Sequence, residues 1–94
     1  MLKTLEDLVN IIRERKSSSD ETSYTSKLLK DKSLSVEKVK EELSELIEAV
    51  ENNSNKIHEA ADVLYHLLVY LEGNGVRIED IMDELEKRKK KKES

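Results

Sequence analysis

The sequence predicts an all-α fold, a small bundle of about five helices. Apolar residues recur at spacings of three and four along most of the chain, which is the period of an amphipathic helix. No segment shows the alternation of apolar and polar residues that is typical of a half-buried strand. With 94 residues, the chain is expected to form a single domain over residues 1–94, with a thin core.

The first helix is predicted over residues 4–15, with Thr4 as its candidate N-cap. Its apolar residues share one face: Leu5, Leu8, Val9 and Ile12. Residues 17–23 contain nothing to bury and are expected to form a loop. The sequence YTSKLLKD, residues 24–31, predicts a short second helix that is anchored by its two leucines.

A third helix is predicted from Ser35, a candidate N-cap, to about Asn52, where the sequence NNSN interrupts it. A fourth is predicted from about Asn55 to Glu72, and Gly73 is expected to be the C′ residue that ends it. The two central helices are thus joined by a very short connection.

A fifth helix is predicted to start near Ile78, since Ile81, Met82 and Leu85 follow at helical spacing. The basic residues in 88–94 are expected to form a frayed tail, because cations are favoured at the C-terminal end of a helix. A patch for nucleic acid or a membrane is the alternative interpretation of this run.

Composition excludes several classes of protein. Charged residues make up 40% of the chain but leave a net charge of only −4, and three tyrosines are too few for a base-stacking platform. No run approaches the roughly 18 apolar residues of a membrane span, and no signal-peptide pattern is present. We expect a cytoplasmic protein that binds neither nucleic acid nor membranes. Without cysteines the thin core has no disulfides, so we expect homodimerisation to complete it.

The third helix has three distinct faces. Its apolar stripe, expected to build the core, contains Val36, Val39, Leu43, Leu46, Ile47 and Val50. Glu41 and Glu48 lie roughly opposite and are expected to face water. A flank at the edge of the stripe contains Lys38, Glu42, Glu45 and Ala49. Glu42 and Glu45 are one turn apart on this flank.

The fourth helix is apolar nearly all round, which is typical of a helix buried on most sides. Glu59, Asp62 and His66 form one polar stripe on it. A buried carboxylate requires a cation or hydrogen bonds, and few lysines are near this helix. A second subunit is expected to cover part of its apolar surface.

The two central helices are expected to bring four carboxylates together. A short turn makes them antiparallel neighbours, so Glu42 and Glu45 face Glu59 and Asp62. Such a cluster repels itself unless a divalent ion binds, and oxygen ligands favour Mg²⁺, with Mn²⁺ also possible. Solvated or lysine-paired carboxylates are the alternative. A di-iron bundle is disfavoured, because no glutamate lies three residues before either histidine.

These motifs resemble the E-x-x-E and E-x-x-D signature of the MazG-like all-α nucleoside triphosphate pyrophosphohydrolases. The flanking sequences SYTSKLL (23–29), KVKEELSELIEA (38–49), HEAADVLYHLLVYL (58–71) and ELEKR (84–88) resemble one family within it, the phosphoribosyl-ATP pyrophosphohydrolases. The chain departs from that family at Lys32 and Lys40, where the family usually has glycine.

The resemblance implies Mg²⁺-dependent hydrolysis of phosphoribosyl-ATP to phosphoribosyl-AMP and pyrophosphate in histidine biosynthesis. It implies that Glu42, Glu45, Glu59 and Asp62 hold the metal. The carboxylate that activates water is expected among Glu41, Glu42 and Glu45. The candidate substrate-binding residues are Ser23, Tyr24, Thr25, Lys27, Lys38, His66 and Arg88.

Purely structural roles are the alternative for several of these residues. Tyr24 can be a hydrophobic anchor, Thr25 a helix cap, His66 a hydrogen-bonded core residue and Arg88 a surface residue. Two other functions remain open as well. One is a MazG-like pyrophosphohydrolase that acts on other nucleoside triphosphates, and the other is a helical dimerisation module without activity.

Overall fold

The computed structural model describes residues 2–18 and 22–93. Its five helices are α1 (Lys3–Ser17), α2 (Tyr24–Lys30), α3 (Lys32–Glu51), α4 (Lys56–Gly73) and α5 (Ile78–Glu93). None of the described residues lies in a strand, so the all-α prediction is confirmed. The helical backbone of α5 continues through the basic residues that follow Arg88.

Two of the predicted helix starts are wrong. α1 begins at Lys3, with Leu2 as an N-cap that offers no side-chain hydrogen bond, so Thr4 lies inside the helix. α3 begins at Lys32, three residues before Ser35, because the Asp31 carboxylate accepts the Leu34 N–H at 3.0 Å. Aspartate is as good an N-cap as serine, and here the earlier of the two capping residues starts the helix.

The end of α4 also differs from the prediction. Gly73 is the last helical residue, and Gly75, with φ +76°, takes the left-handed position instead. The Gly75 N–H donates to the Glu72 carbonyl at 3.2 Å and the Val76 N–H to the Leu71 carbonyl at 2.9 Å, which together form a Schellman motif. Gly73 serves packing, because a Cβ there would lie 3.2 Å from the Leu29 side chain on α2.

The connection between α3 and α4 is a turn with two asparagines in left-handed conformation. Asn53 has φ +53° and Asn55 has φ +51°. The Ser54 N–H donates to the Ala49 carbonyl at 2.9 Å and so closes the end of α3. Asparagine tolerates this conformation better than most residues do, which explains why NNSN interrupts the helix and reverses the chain.

The core lies between α1, α2 and α4. Its buried apolar members are Val9, Ile12, Leu28, Leu68 and Val69. α3 packs on α4 through the predicted flank, where Glu42 and Ala49 are buried. The prediction that the α3 apolar stripe builds the core is wrong for the single chain, because this flank, and not the stripe, faces α4.

The apolar residues that remain exposed on the two central helices form what we call the α3–α4 apolar face. It comprises Leu43, Ile47, Val50, Ile57 and Leu64. Ile47 is 53% exposed and Ile57 89% exposed. A single chain therefore leaves several large apolar side chains in water.

An ion-pair cluster that sequence reasoning missed joins α1 to α4 and α5. Arg13 donates to both carboxylate oxygens of Glu72, at 2.9 and 3.0 Å. It also donates to both oxygens of Glu79, at 2.9 and 2.6 Å. Lys16 Nζ adds a 2.7 Å hydrogen bond to the Glu72 carbonyl. These contacts hold the end of α4 and the start of α5 against α1.

Candidate active site

The structure brings the predicted carboxylates of α3 and α4 together. Glu42, Glu45 and Glu59 each place one oxygen within 4.8 Å of the others. Glu59 also belongs to a second group, in which ligand atoms of His58, Glu59 and Asp62 lie within 4.8 Å of one another. The four predicted carboxylates thus lie in two overlapping groups that share Glu59. We call these four residues the carboxylate cluster.

His58 is a member of this site that sequence reasoning did not assign. Its Nε2 lies 3.4 Å from Asp62 Oδ2, one helical turn away on α4. The signal was present in the sequence, since positions 58 and 62 are spaced i, i+4. His58 is exposed, so it lies at the rim of the cluster.

The carboxylate cluster is electrostatically unfavourable without a bound cation. Glu42 is only 9% exposed, and among the described residues neither its Oε2 nor Glu59 Oε2 has a hydrogen-bond partner. Burial raises the pKa of both side chains, and the negative charge of Glu45 raises each pKa further. Buried carboxylate oxygens without partners destabilise a fold unless a cation binds them.

The donor set fits a hard divalent cation. Oxygen atoms of Glu42, Glu45 and Glu59 are the ligands that Mg²⁺ and Mn²⁺ prefer. The lysine-paired alternative finds no support: among the side chains described, those of residues 2–18 and 22–91, the four carboxylates form no ion pair with lysine or arginine. Lys38 pairs instead with exposed Glu41, at 3.3 Å.

A hydrogen-bonded chain connects α2 to the cluster. His66 is buried, and its Nδ1 lies 2.8 Å from the Asp62 carbonyl oxygen. Because a carbonyl only accepts, Nδ1 is the donor in this contact, and the Nε2 atom on the other side of the ring is hydrogen-bonded to the Tyr24 hydroxyl at 3.0 Å. The Tyr24 and Tyr65 rings stack at 6.3 Å, and Thr25 Oγ1 bonds the Tyr65 hydroxyl at 2.5 Å. Tyr24 and Thr25 of the SYTSKLL motif thus contact α4 directly.

The remaining candidate residues are distributed around this centre. The Ser23 hydroxyl caps α2, accepting the Ser26 N–H at 3.0 Å and donating to Ser26 Oγ at 2.8 Å. Ser23, Tyr24 and Lys27 line an open cavity of about 1040 Å³. Arg88 is exposed on α5 and donates to Glu84 at 3.0 Å, away from the contacts described above. Its role in substrate binding stays a prediction.

Comparison with known proteins identifies the family. The sequence model described as phosphoribosyl-ATP pyrophosphohydrolase matches residues 5–89. The chain belongs to this family. The match includes both carboxylate-bearing segments and the residues Tyr24, Tyr65 and His66, so the site described above lies inside the region that defines membership.

Individual members agree with the family match. The chain is 47% identical to a phosphoribosyl-ATP pyrophosphatase of Methylobacterium nodulans, over 90% of this chain and 82% of that protein. It is 44% identical to the corresponding enzyme of Sulfurisphaera tokodaii, over 92% and 95% of the two chains. It is also 42% identical to part of the histidine biosynthesis bifunctional protein HisIE of Pyrococcus furiosus, 43% of which it covers. No solved structure matches the chain.

The arrangement suits a polyanionic substrate. The carboxylate cluster can gather divalent cations, Lys38 and Tyr24 offer donors near Glu42, and Lys27 lines the cavity that Tyr24 also lines. Within the part of the chain that the structure describes, no helix has the length and apolar character needed to cross a bilayer.

Proposed function

We propose that this chain hydrolyses phosphoribosyl-ATP to phosphoribosyl-AMP and pyrophosphate in histidine biosynthesis. Its membership of the phosphoribosyl-ATP pyrophosphohydrolase family supports the reaction class. The observation that carries the proposal is the carboxylate cluster, in which the buried oxygens Glu42 Oε2 and Glu59 Oε2 have no partner among the described residues. A helical module without activity has no use for such a cluster.

Glu42, Glu45, Glu59 and Asp62 would hold the metal that we assign to this site, Mg²⁺, for which Mn²⁺ could substitute. When bound, it supplies positive charge to the triphosphate oxygens. Lys38 lies beside Glu41 on the same helix and is placed to add a donor to a phosphate. Tyr24, oriented by His66, presents its ring and hydroxyl at the edge of the site.

The chain's own part in the chemistry is to position water and accept its proton. Water adds to the phosphorus at the α–β linkage, the bridging P–O bond breaks, and pyrophosphate leaves. A carboxylate takes the proton of the attacking water. Of the three candidates, Glu41 is engaged by Lys38 and Glu42 is buried, whereas Glu45 is both in the cluster and exposed. We therefore assign water activation to Glu45.

A pyrophosphate-release assay with a panel of substrates tests the proposal. We expect kcat/KM for phosphoribosyl-ATP to exceed that for dCTP, dUTP and ITP by at least about a hundredfold, with activity lost in EDTA. A Glu42→Gln, Glu59→Gln double variant, purified identically, controls for contaminating phosphatases. Faster turnover of an ordinary nucleoside triphosphate would identify a sister enzyme instead. Turnover of no triphosphate would indicate a dimerisation module.

Homodimerisation belongs to the same proposal. The α3–α4 apolar face leaves large side chains such as Ile47 and Ile57 in water, and such exposed apolar surface is typical of an interface. We propose that a second copy of the chain covers this face and completes the core. A cytoplasmic location, as expected for a biosynthetic enzyme, likewise stays a prediction.

A further inference from the structure

A cationic cavity lies beside the candidate active site, where α2 ends and α3 begins. Its lining residues are Thr22, Ser23, Tyr24, Lys27, Lys30, Asp31, Lys32 and Ser33. Three of these are lysines and one is an aspartate. The Asp31 carboxylate caps α3 by accepting the Leu34 N–H. The lining therefore carries an excess of positive charge in a chain that is acidic overall.

Two of the lysines are available to a ligand. Neither Lys27 nor Lys32 forms an ion pair with any side chain in residues 2–18 or 22–91. A lysine side chain is a mobile point charge that binds phosphate readily. Around the cavity, the hydroxyl of Ser33 adds a further possible donor.

Tyr24 links the cavity to the candidate active site. This residue lines the cavity and also bonds His66, whose Nδ1 bonds the main chain of Asp62. Tyr24 therefore belongs both to the lining of the three-lysine cavity and to the hydrogen-bonded chain that ends at Asp62.

The substrate that we propose has phosphate at two separate places. One is the triphosphate, for which the carboxylate cluster and its metal are suited. The other is the monophosphate on the second ribose, which phosphoribosyl-ATP has and ATP lacks. This second group would need cations of its own, because a metal held by the carboxylate cluster would serve the triphosphate.

We infer that Lys30 and Lys32, together with Lys27, form a subsite for the monophosphate of the phosphoribosyl group. The subsite makes the enzyme select phosphoribosyl-ATP over ordinary nucleoside triphosphates. This inference rests on the proposed function and assigns specificity to Lys30, which the sequence motifs did not single out, and to Lys32, which stands where the family usually has glycine.

Equilibrium binding of two product-like ligands tests the inference without turnover. Phosphoribosyl-AMP carries the second phosphate and AMP does not, so their affinity ratio isolates the phosphoribosyl group. Isothermal titration calorimetry is performed on the wild type and on the Lys30→Gln, Lys32→Gln double variant. The control is Lys89→Gln, Lys90→Gln, which removes the same charge from exposed positions on α5.

We expect the wild type to bind phosphoribosyl-AMP at least about tenfold more tightly than AMP, a difference of about 1.4 kcal/mol. In the Lys30, Lys32 variant that ratio should fall to about two or less, with AMP affinity unchanged. The control should retain the wild-type ratio. In parallel, KM for phosphoribosyl-ATP should rise about tenfold in the variant while kcat stays within about twofold.

The other outcomes overturn the inference in distinguishable ways. If the variant bound both ligands more weakly by the same factor, the lysines would act on the nucleotide phosphate or through the overall electrostatic potential. An unchanged ratio, in a wild type that hydrolyses phosphoribosyl-ATP, would reject the subsite alone. A wild type that neither binds nor hydrolyses phosphoribosyl-ATP would reject the proposed function and the subsite with it.

Discussion

Glu42 illustrates at the scale of one residue how a site can oppose stability. Its carboxyl group is buried beside Glu45 and Glu59, and its Oε2 has no partner among the described residues. Burial and the charge of Glu45 raise its pKa. A carboxyl whose pKa rises on folding disfavours the folded state above that pKa, and this penalty is relieved as the pH falls. A bound cation relieves it at neutral pH.

Glu42→Gln should therefore separate stability from activity. Above pH 7 and without metal, the variant should melt several degrees higher than the wild type, as about 1 kcal/mol of repulsion removed implies for a chain of this size. Millimolar Mg²⁺ should raise the melting temperature of the wild type and shift that of the variant much less. Turnover of phosphoribosyl-ATP should fall at least about a hundredfold.

Differential scanning fluorimetry with and without Mg²⁺, together with the pyrophosphate assay, measures all three effects. Glu48→Gln is the matched control, since Glu48 is exposed on the same helix. It should change neither stability nor the Mg²⁺ response. A destabilised metal-free Glu42→Gln, or one that keeps full activity, would contradict the assignment of Glu42 to the metal site.

The sequence was sufficient to predict the carboxylate cluster for a physical reason. The spacings of Glu42 and Glu45, and of Glu59 and Asp62, each fix one helix face, and a turn of four residues fixes how the two faces meet. The contacts of Arg13 with Glu72 and Glu79 span 59 and 66 positions in the chain. No local pattern encodes such contacts, so they emerge only from the assembled bundle.

At the scale of elements, helix centres were more predictable than helix ends. Periodicity runs through a whole helix, whereas an end depends on one residue chosen among neighbours of similar propensity. Asp31 and Ser35 are both capping types, and Gly73 and Gly75 are both able to end a helix. At the end of α4 packing decides between the two glycines: Gly73 packs closely against Leu29, and Gly75 adopts the left-handed conformation.

The Arg13 cluster is the contact between elements whose energy is most readily tested. The Glu72 side chain is only 5% exposed, so loss of its partner would leave a nearly buried charge. Hydrogen bonds from Arg13 lower the pKa of Glu72 and lower that of Glu79 to about 2. Carboxylates with lowered pKa values stabilise the fold above their unfolded pKa, and this contribution disappears as the pH falls through the folded pKa.

We expect Arg13→Gln to lose about 2–3 kcal/mol at pH 7, a drop in melting temperature on the order of 10 °C or more. The difference between wild type and variant should shrink as the pH falls from 5 towards 2, because the carboxylates that Arg13 stabilises become protonated. Thermal melts monitored by circular dichroism at a series of pH values measure this difference.

The control is Lys3→Gln, which removes an exposed pair with Asp7 and should cost no more than a few tenths of a kcal/mol. A stability difference for Arg13→Gln that stays constant down to pH 2 would show that the guanidinium acts through packing and not through its carboxylate partners.

At the scale of the whole molecule, the chain has too little core for the apolar surface it contains. The buried core cluster has five members, while the α3–α4 apolar face contains as many large side chains that are about half exposed or more. Oligomerisation is the usual way for a small domain without disulfides to bury such surface. The same two helices carry the carboxylate cluster, so the interface and the site share their supporting elements.

Ile47→Glu tests whether a second copy covers this face. A charge buried in an apolar interface should raise the dissociation constant of the dimer at least about thirtyfold, equivalent to about 2 kcal/mol. Sedimentation velocity over a range of micromolar concentrations should show a wild-type dimer and a variant that dissociates. Met82→Glu is the matched control, because Met82 is similarly exposed but lies on α5, outside the α3–α4 apolar face. A monomeric wild type, or an Ile47→Glu variant that dimerises as tightly as the control, would show that a second copy of the chain does not cover the α3–α4 apolar face.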